Sequence, residues 1–182
     1  MYQNFKKLNL PIYNNLQEEL EKIINWRTYQ QICITVPKGH ENDTQFGTGS
    51  LIYDWDNSYN ENGKMIIPER NHHLHESDFT EIATIFKDTI FEEIVVMLRD
   101  NKYNLGRVRL MTSKPKTCLS WHTDSSYRLH YPIKTQLGCK MIIENEVADL
   151  EENQWWWTNT IKEHTAINSS TDLRMHLVAC VL

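Results

Sequence analysis

Three side chains stand where a metal could gather them. His122 and Asp124 lie two residues apart, and His164 follows in a later β-rich run. In an extended chain, residues i and i+2 point to the same side, so His122 and Asp124 can reach one point in space. Two imidazoles and one carboxylate on one face of an octahedral ion leave the opposite face open. Mononuclear non-haem Fe(II) centres use that arrangement to admit O₂ and a co-substrate. A structural zinc would ask for four protein ligands, usually with cysteine, and no C-x-x-C pair accompanies these three. The bland alternative for Asp124 is a cap on the turn at Ser125-Ser126.

A guanidinium accompanies the three. Arg174 comes ten residues after His164, across a turn at Asn168–Asp172. Its planar fork can hold a carboxylate through two bonds, as a lysine cannot. If Arg174 faces the interior of a barrel, so does His176, and on the run Tyr127–Ile133 the pair Arg128 and His130 share one face. Buried unpaired arginines cost several kcal/mol, roughly, so such a cluster implies an anionic ligand. The alternative for Arg174 is an ordinary salt bridge. Arg107 and Arg109 share a strand face and are candidates to extend the anionic pocket. His72, His73 and His75 are read as a solvated loop lacking a fourth ligand. Asn168 is read as serving its turn. Trp155, Trp156 and Trp157 are read as packing, with an aromatic wall of the site or a partner surface as the alternative.

The elements that must position these residues change character along the chain. Asn14 to Trp26 reads as a helix, with Leu16, Leu20, Ile23 and Ile24 at helical spacing. Gln31–Val36 reads as a strand ended by Pro37-Lys38-Gly39, and residues 50–54 as a short strand followed by a loop. Ser77 is a candidate N-cap for a second helix running to Asp100-Asn101, because Phe79, Ile82, Phe86, Ile90, Ile94 and Met97 step by three and four. From Leu105 onward, short β-rich runs alternate with turns: 106–111, 127–133, 138–143, 154–158, 164–167 and 173–181. That texture predicts a mainly β sandwich or barrel.

Bulk properties limit the partners. The chain has 182 residues, 40% hydrophobic and 24% charged, with a formal net charge of −5. One domain is expected, with residues 1–104 as largely helical support and 105–182 as the β-rich core. The acidic balance and the lack of a basic run argue against nucleic acid as a partner. No apolar run is long enough for a membrane span, and the start lacks a signal-peptide core, so a cytoplasmic protein with no membrane partner is expected. Cys33, Cys118, Cys139 and Cys180 are scattered without metal-binding spacing and are expected to be buried free thiols in a reducing compartment.

The order His-x-Asp, distal His, then Arg resembles that of the 2-oxoglutarate/Fe(II)-dependent dioxygenases. Trp121-His122-Thr123-Asp124 with Arg128-Leu129-His130, and His164-x-x-x-Asn168 with Arg174-x-His176, resemble the aspartyl/asparaginyl β-hydroxylase group, to which proline 3-hydroxylases are related. The likeness covers roughly residues 105–182. It implies a double-stranded β-helix (jelly-roll, cupin-like) core with N-terminal helices packed on one sheet, and Fe(II) and 2-oxoglutarate as cofactors. It implies hydroxylation of an amino acid, or of an Asp, Asn or Pro residue of a peptide, with succinate and CO₂ as co-products. Carried over, His122, Asp124 and His164 would ligate iron, and Arg174 would hold the distal carboxylate of 2-oxoglutarate. His130 would lie near the keto-acid end, with Arg128 and His176 facing substrate. The animal aspartyl hydroxylases have glycine where this chain has Asp124, whereas the proline hydroxylases keep the full triad, so the substrate of the animal enzymes does not transfer directly. The competing readings are a cupin-type metalloenzyme without 2-oxoglutarate and a non-catalytic jelly-roll binding module.

Overall fold

A computed structural model describes residues 3–51, 61–64 and 73–182. The expected strand at 50–54 lies mostly outside these residues, as does His72. The chain divides into two compact units: residues 1–30 with 110–181, and residues 31–109 with 182.

The first unit carries β1 (Phe5–Lys7), α1 (Leu16–Ile23), β6 (Thr117–Cys118), β7 (Tyr127–Lys134), β8 (Cys139–Ile143), β9 (Glu146–Ala148), β10 (Trp156–Thr158), β11 (His164–Asn168) and β12 (Arg174–Val181). One sheet contains the order β1-β10-β7-β12 and the other is β6-β11-β8-β9, with antiparallel pairing. Apart from the β8–β9 hairpin, each successive strand from β6 to β12 enters the sheet opposite to the one before it. That alternation is the winding of a jelly roll, and it brings residues distant in sequence onto facing inner surfaces.

Register decides what faces inward, because directly opposed residues share a face. Phe5, Thr158, Arg128 and Cys180 form one transverse row, and Trp156, His130 and Val178 form another. The intervening row of Leu129 and Ala179, and then Tyr131 with Leu177, face the other way. Leu16 and Leu20 are the buried side of the amphipathic α1, which packs against β7. Tyr131 ties the N-terminal segment to the same surface: its hydroxyl donates to Tyr13 O and accepts from Tyr13 N, both at 2.8 Å. Trp155 donates its indole N–H to Pro11 O at 3.0 Å. Phe5, Met141, Ile143, Ala148, Leu150 and Trp156 form an apolar cluster. Burying each such large side chain stabilises the fold by about 1.5–3 kcal/mol.

The second unit holds β2 (Gln31–Cys33), β3 (Thr35–Val36), β4 (Glu81–Ile82), α2 (Ile90–Asp100) and the start of β5 (Leu105–Ser113), whose end belongs to the first unit. Its polar anchor is a buried ion pair. Arg107 donates Nε and Nη2 to the Glu76 carboxylate and Nη1 to Gly47 O and Gly49 O.

Here the structure corrects the expected second helix. Residues 76–78 and 84–86 are 3₁₀ turns, Glu81–Ile82 is a strand paired with β3, and the helix starts only at Ile90. Thr89, not Ser77, is its N-cap and accepts from Phe91 N at 3.2 Å. The apolar spacing is real, but backbone bonds from Ala83 N to Ile34 O and Thr84 N to Glu41 O hold the chain extended. Asp88 then turns through a left-handed φ of 58°. The first helix also stops short, at Ile23, because Ile24 is extended. The predicted strand 31–36 is divided into β2 and β3, and the six later runs are strands with shifted ends. Of the four thiols, Cys118 is exposed, contrary to expectation.

Candidate metal and anion site

The pair His122 and His164 is set by strand pairing. β6 runs antiparallel to β11, and the pairing continues past β6 through Leu119 N to Ala166 O. His122 and His164 then exchange both backbone bonds, at 3.1 and 2.9 Å. Their rings lie with centroids 4.2 Å apart. Asp124 N donates to Thr160 O at 2.8 Å, which places its carboxylate beside the pair. Ligand atoms of His122, Asp124 and His164 all lie within 4.8 Å of one another, the only such group of three among the described residues. His73 and His75 belong to no such group there.

The tautomers follow from the hydrogen bonds. His122 Nδ1 lies 2.7 Å from Ser120 O, and His164 Nδ1 lies 2.9 Å from Lys162 O. A carbonyl only accepts, so each Nδ1 carries the proton and each Nε2 presents a lone pair. His164 Nε2 faces Asp124 Oδ2 at 3.5 Å. A carboxylate and an imidazole nitrogen at that distance share a cation, a proton in the metal-free protein or, in its place, a divalent metal with N, N and O donors. Burial pushes the Asp124 carboxyl up, but His164 and the Arg128 guanidinium outweigh it and hold the group well below the usual carboxylate range. Asp124 thus serves His164 and Arg128, and caps no turn at Ser125-Ser126.

Arg174, His130 and His176 are buried in the same unit. Among the described residues Arg174 has no ion pair, and its Nε has no hydrogen-bond partner, so the salt-bridge alternative fails. Burial pushes its pKa down. His130 Nδ1 and His176 Nδ1 are 3.3 Å apart, and both Nε2 atoms are buried without a partner among the described residues. Burial, with help from Arg174 and Arg128, lowers His130 to about 3. Burial, Arg174 and His130 lower His176 well below the usual histidine value. Both rings are therefore neutral. Only one Nδ1 can donate to the other, so the pair presents one Nε2–H donor and one Nε2 acceptor.

Arg128 is buried too, but its fork is engaged by Asp124 and Ser126. Arg107 and Arg109 are engaged inside the second unit, Arg109 by Gln31 Oε1 and Gly49 O. Asn168 serves its turn as expected, accepting from Ser170 N and Oγ and donating to Asp172 O. Sequence does not distinguish Trp156 within its run, yet its buried indole N–H also lacks a partner among the described residues. Strand alternation could have separated it from Trp155 and Trp157; which face was inner depended on register.

Comparison with known proteins completes the picture. No curated protein matches the sequence. Similar solved structures include a 2OG-Fe(II) oxygenase family oxidoreductase from Burkholderia pseudomallei, 13% identical, covering 50% of this chain and 55% of that one, with a TM-score of 0.44. A cupin domain from Bordetella pertussis Tohama I is 17% identical over 42% of this chain and 80% of its own, with a TM-score of 0.37. The viral collagen prolyl hydroxylase of Paramecium Bursaria Chlorella virus-1, in its 2OG complex, is 12% identical over 57% of this chain and 78% of its own, with a TM-score of 0.39. The chain spans about half the length of the Burkholderia protein. A family profile for aspartyl/asparaginyl β-hydroxylases matches residues 12–182, a span that includes His122, Asp124, His164 and Arg174. The chain belongs to the aspartyl/asparaginyl β-hydroxylase family.

Proposed function

We propose that the protein is an Fe(II)- and 2-oxoglutarate-dependent hydroxylase acting on an amino acid, or on an Asp, Asn or Pro residue of a peptide. The observation that carries this reading is the buried, unpaired Arg174 guanidinium in the unit that also holds a three-donor metal set. A metal site alone fits many activities. A metal site accompanied by a desolvated cation asks for an anionic co-ligand as well.

His122 and His164 offer Nε2 lone pairs and Asp124 an ionised carboxylate, the donor types that suit Fe(II). Iron and 2-oxoglutarate bound there would supply the oxidising chemistry: one atom of O₂ leaves in succinate as CO₂ is released, and the other becomes the new hydroxyl. The protein's part is placement. Arg174 forks onto the distal carboxylate, and desolvation strengthens that bond. The neutral His130–His176 pair offers one donor and one acceptor without adding charge, with His130 assigned to the keto acid and His176 to substrate. Ile143, opposite His164 in register, and Trp156, opposite His130, belong to one apolar cluster.

The test is a turnover screen with Fe(II), 2-oxoglutarate and O₂ against free amino acids and against Asp-, Asn- and Pro-containing peptides. A product heavier by one oxygen, matched by succinate, is expected. Substrate oxidation that needs metal but no 2-oxoglutarate would point to a cupin-type metalloenzyme instead.

A further inference from the structure

Arg128 is tied down along its length. Its Nε donates to Asp124 Oδ2 at 3.0 Å, and its Nη1 donates to Ser126 Oγ at 3.2 Å and meets the Cys180 thiol. The backbone beneath is fixed as well. Thr158 Oγ1 donates to Arg128 O at 3.1 Å, and Thr160 Oγ1 donates to Ser126 O at 2.8 Å. Asp124 N is itself bonded to Thr160 O. One short segment around Thr158 and Thr160 therefore anchors both Asp124 and Arg128, and the guanidinium reaches back four positions to the carboxylate. The side chain is 5% exposed and the Asp124 side chain 22%.

We infer that Arg128 is a positioning residue for Asp124, holding its carboxylate turned toward His164, rather than the substrate contact expected from the sequence. This rests on reading His122, Asp124 and His164 as the metal ligands. The physical reason is that an aspartate reaches a metal through two free torsions. A charge-assisted bond from a buried guanidinium removes that freedom before the metal arrives. Ser126 and Cys180 hold the guanidinium in turn, so the orientation passes from strand β12 through Arg128 to the carboxylate. A lysine would keep the charge but could not bond Asp124 and Ser126 with the same planar fork.

The test measures binding, not activity. Mn(II) is titrated calorimetrically into wild type, Arg128→Met, Arg128→Lys and Asp124→Ala without 2-oxoglutarate. 2-Oxoglutarate is then titrated into each protein that can be saturated with Mn(II). Arg128→Met is expected to weaken Mn(II) by about 10- to 100-fold. Arg128→Lys should lose less, with the same sign, and 2-oxoglutarate affinity in the Mn(II)-saturated variants should stay close to wild type. Should Arg128→Met fail to fold, Arg128→Lys carries the same comparison. Unchanged Mn(II) affinity in the folded variants overturns the proposal; if 2-oxoglutarate weakens instead, Arg128 contacts the co-substrate. If wild type binds no Mn(II), or Asp124→Ala binds it equally well, the metal-site reading itself has failed and the proposal falls with it.

Discussion

Replacing Arg174 by methionine should move two properties in opposite directions. Arg174 is 9% exposed, and among the described residues its Nε has no partner and no carboxylate pairs with it. In the ligand-free protein it is a desolvated charge with little return. Exchanging buried charge for apolar volume can stabilise a fold by about 1–4 kcal/mol. For a chain of this size each kcal/mol raises the melting temperature by about 2–4 °C. The ligand-free variant should therefore melt several degrees above wild type. Binding should suffer in return. Truncating one member of a buried charged pair costs about 2–5 kcal/mol, which weakens 2-oxoglutarate by about 30- to several thousand-fold. Calorimetry on Mn(II)-loaded protein and thermal unfolding of ligand-free protein read the two effects. Unchanged 2-oxoglutarate affinity would refute the role of Arg174. A variant that melts well below wild type would show that the guanidinium has a structural partner after all.

Three further outcomes are expected. Asp124→Ala should lose metal affinity and metal-dependent turnover while keeping its β-rich circular dichroism, because the Asp124 side chain is partly exposed and Arg128 keeps its bond to Ser126. Acid should destabilise the ligand-free protein between about pH 6.5 and the lowered value of about 3 for His130, with His176 acting in the same direction. The unfolded chain binds those protons first, so stability is full above the unfolded pKa and falls by about 1.4 kcal/mol per pH unit for each histidine below it. Denaturant midpoints at pH 7 and pH 5 check this, with His130→Phe flattening the slope. Glu76→Ala should cost about 3–5 kcal/mol by stranding Arg107, read as a drop in the denaturant midpoint.

Much of the site could be read without coordinates, and the reason is local. The separation of His122 from Asp124 and of Arg174 from His176 is two residues in extended chain, so facing follows from alternation alone. The change from helical to β-rich text likewise pointed to a β sandwich or barrel, and the family resemblance narrowed it to a jelly roll. What could not be read depends on pairing between distant strands. Arg128 was expected to be available to substrate, but nothing local shows Cys180 opposite it or Ser126 beneath its fork. Residues 77–89 carry genuine helical spacing, yet bonds to Ile34 and Glu41 draw that stretch out of a helix. Tertiary hydrogen bonding outweighed propensity there. Trp156 was one of three consecutive tryptophans, and only the register opposite His130 sets it on the inner face.

The most direct measurement follows succinate by NMR from 2-oxoglutarate under air, with Fe(II) present, for wild type and His164→Ala. The account predicts succinate from wild type, dependent on both Fe(II) and O₂, and none above background from the variant. No succinate from iron-loaded wild type in the presence of a substrate-complete mixture of amino acids and peptides would contradict it, as would equal succinate from His164→Ala.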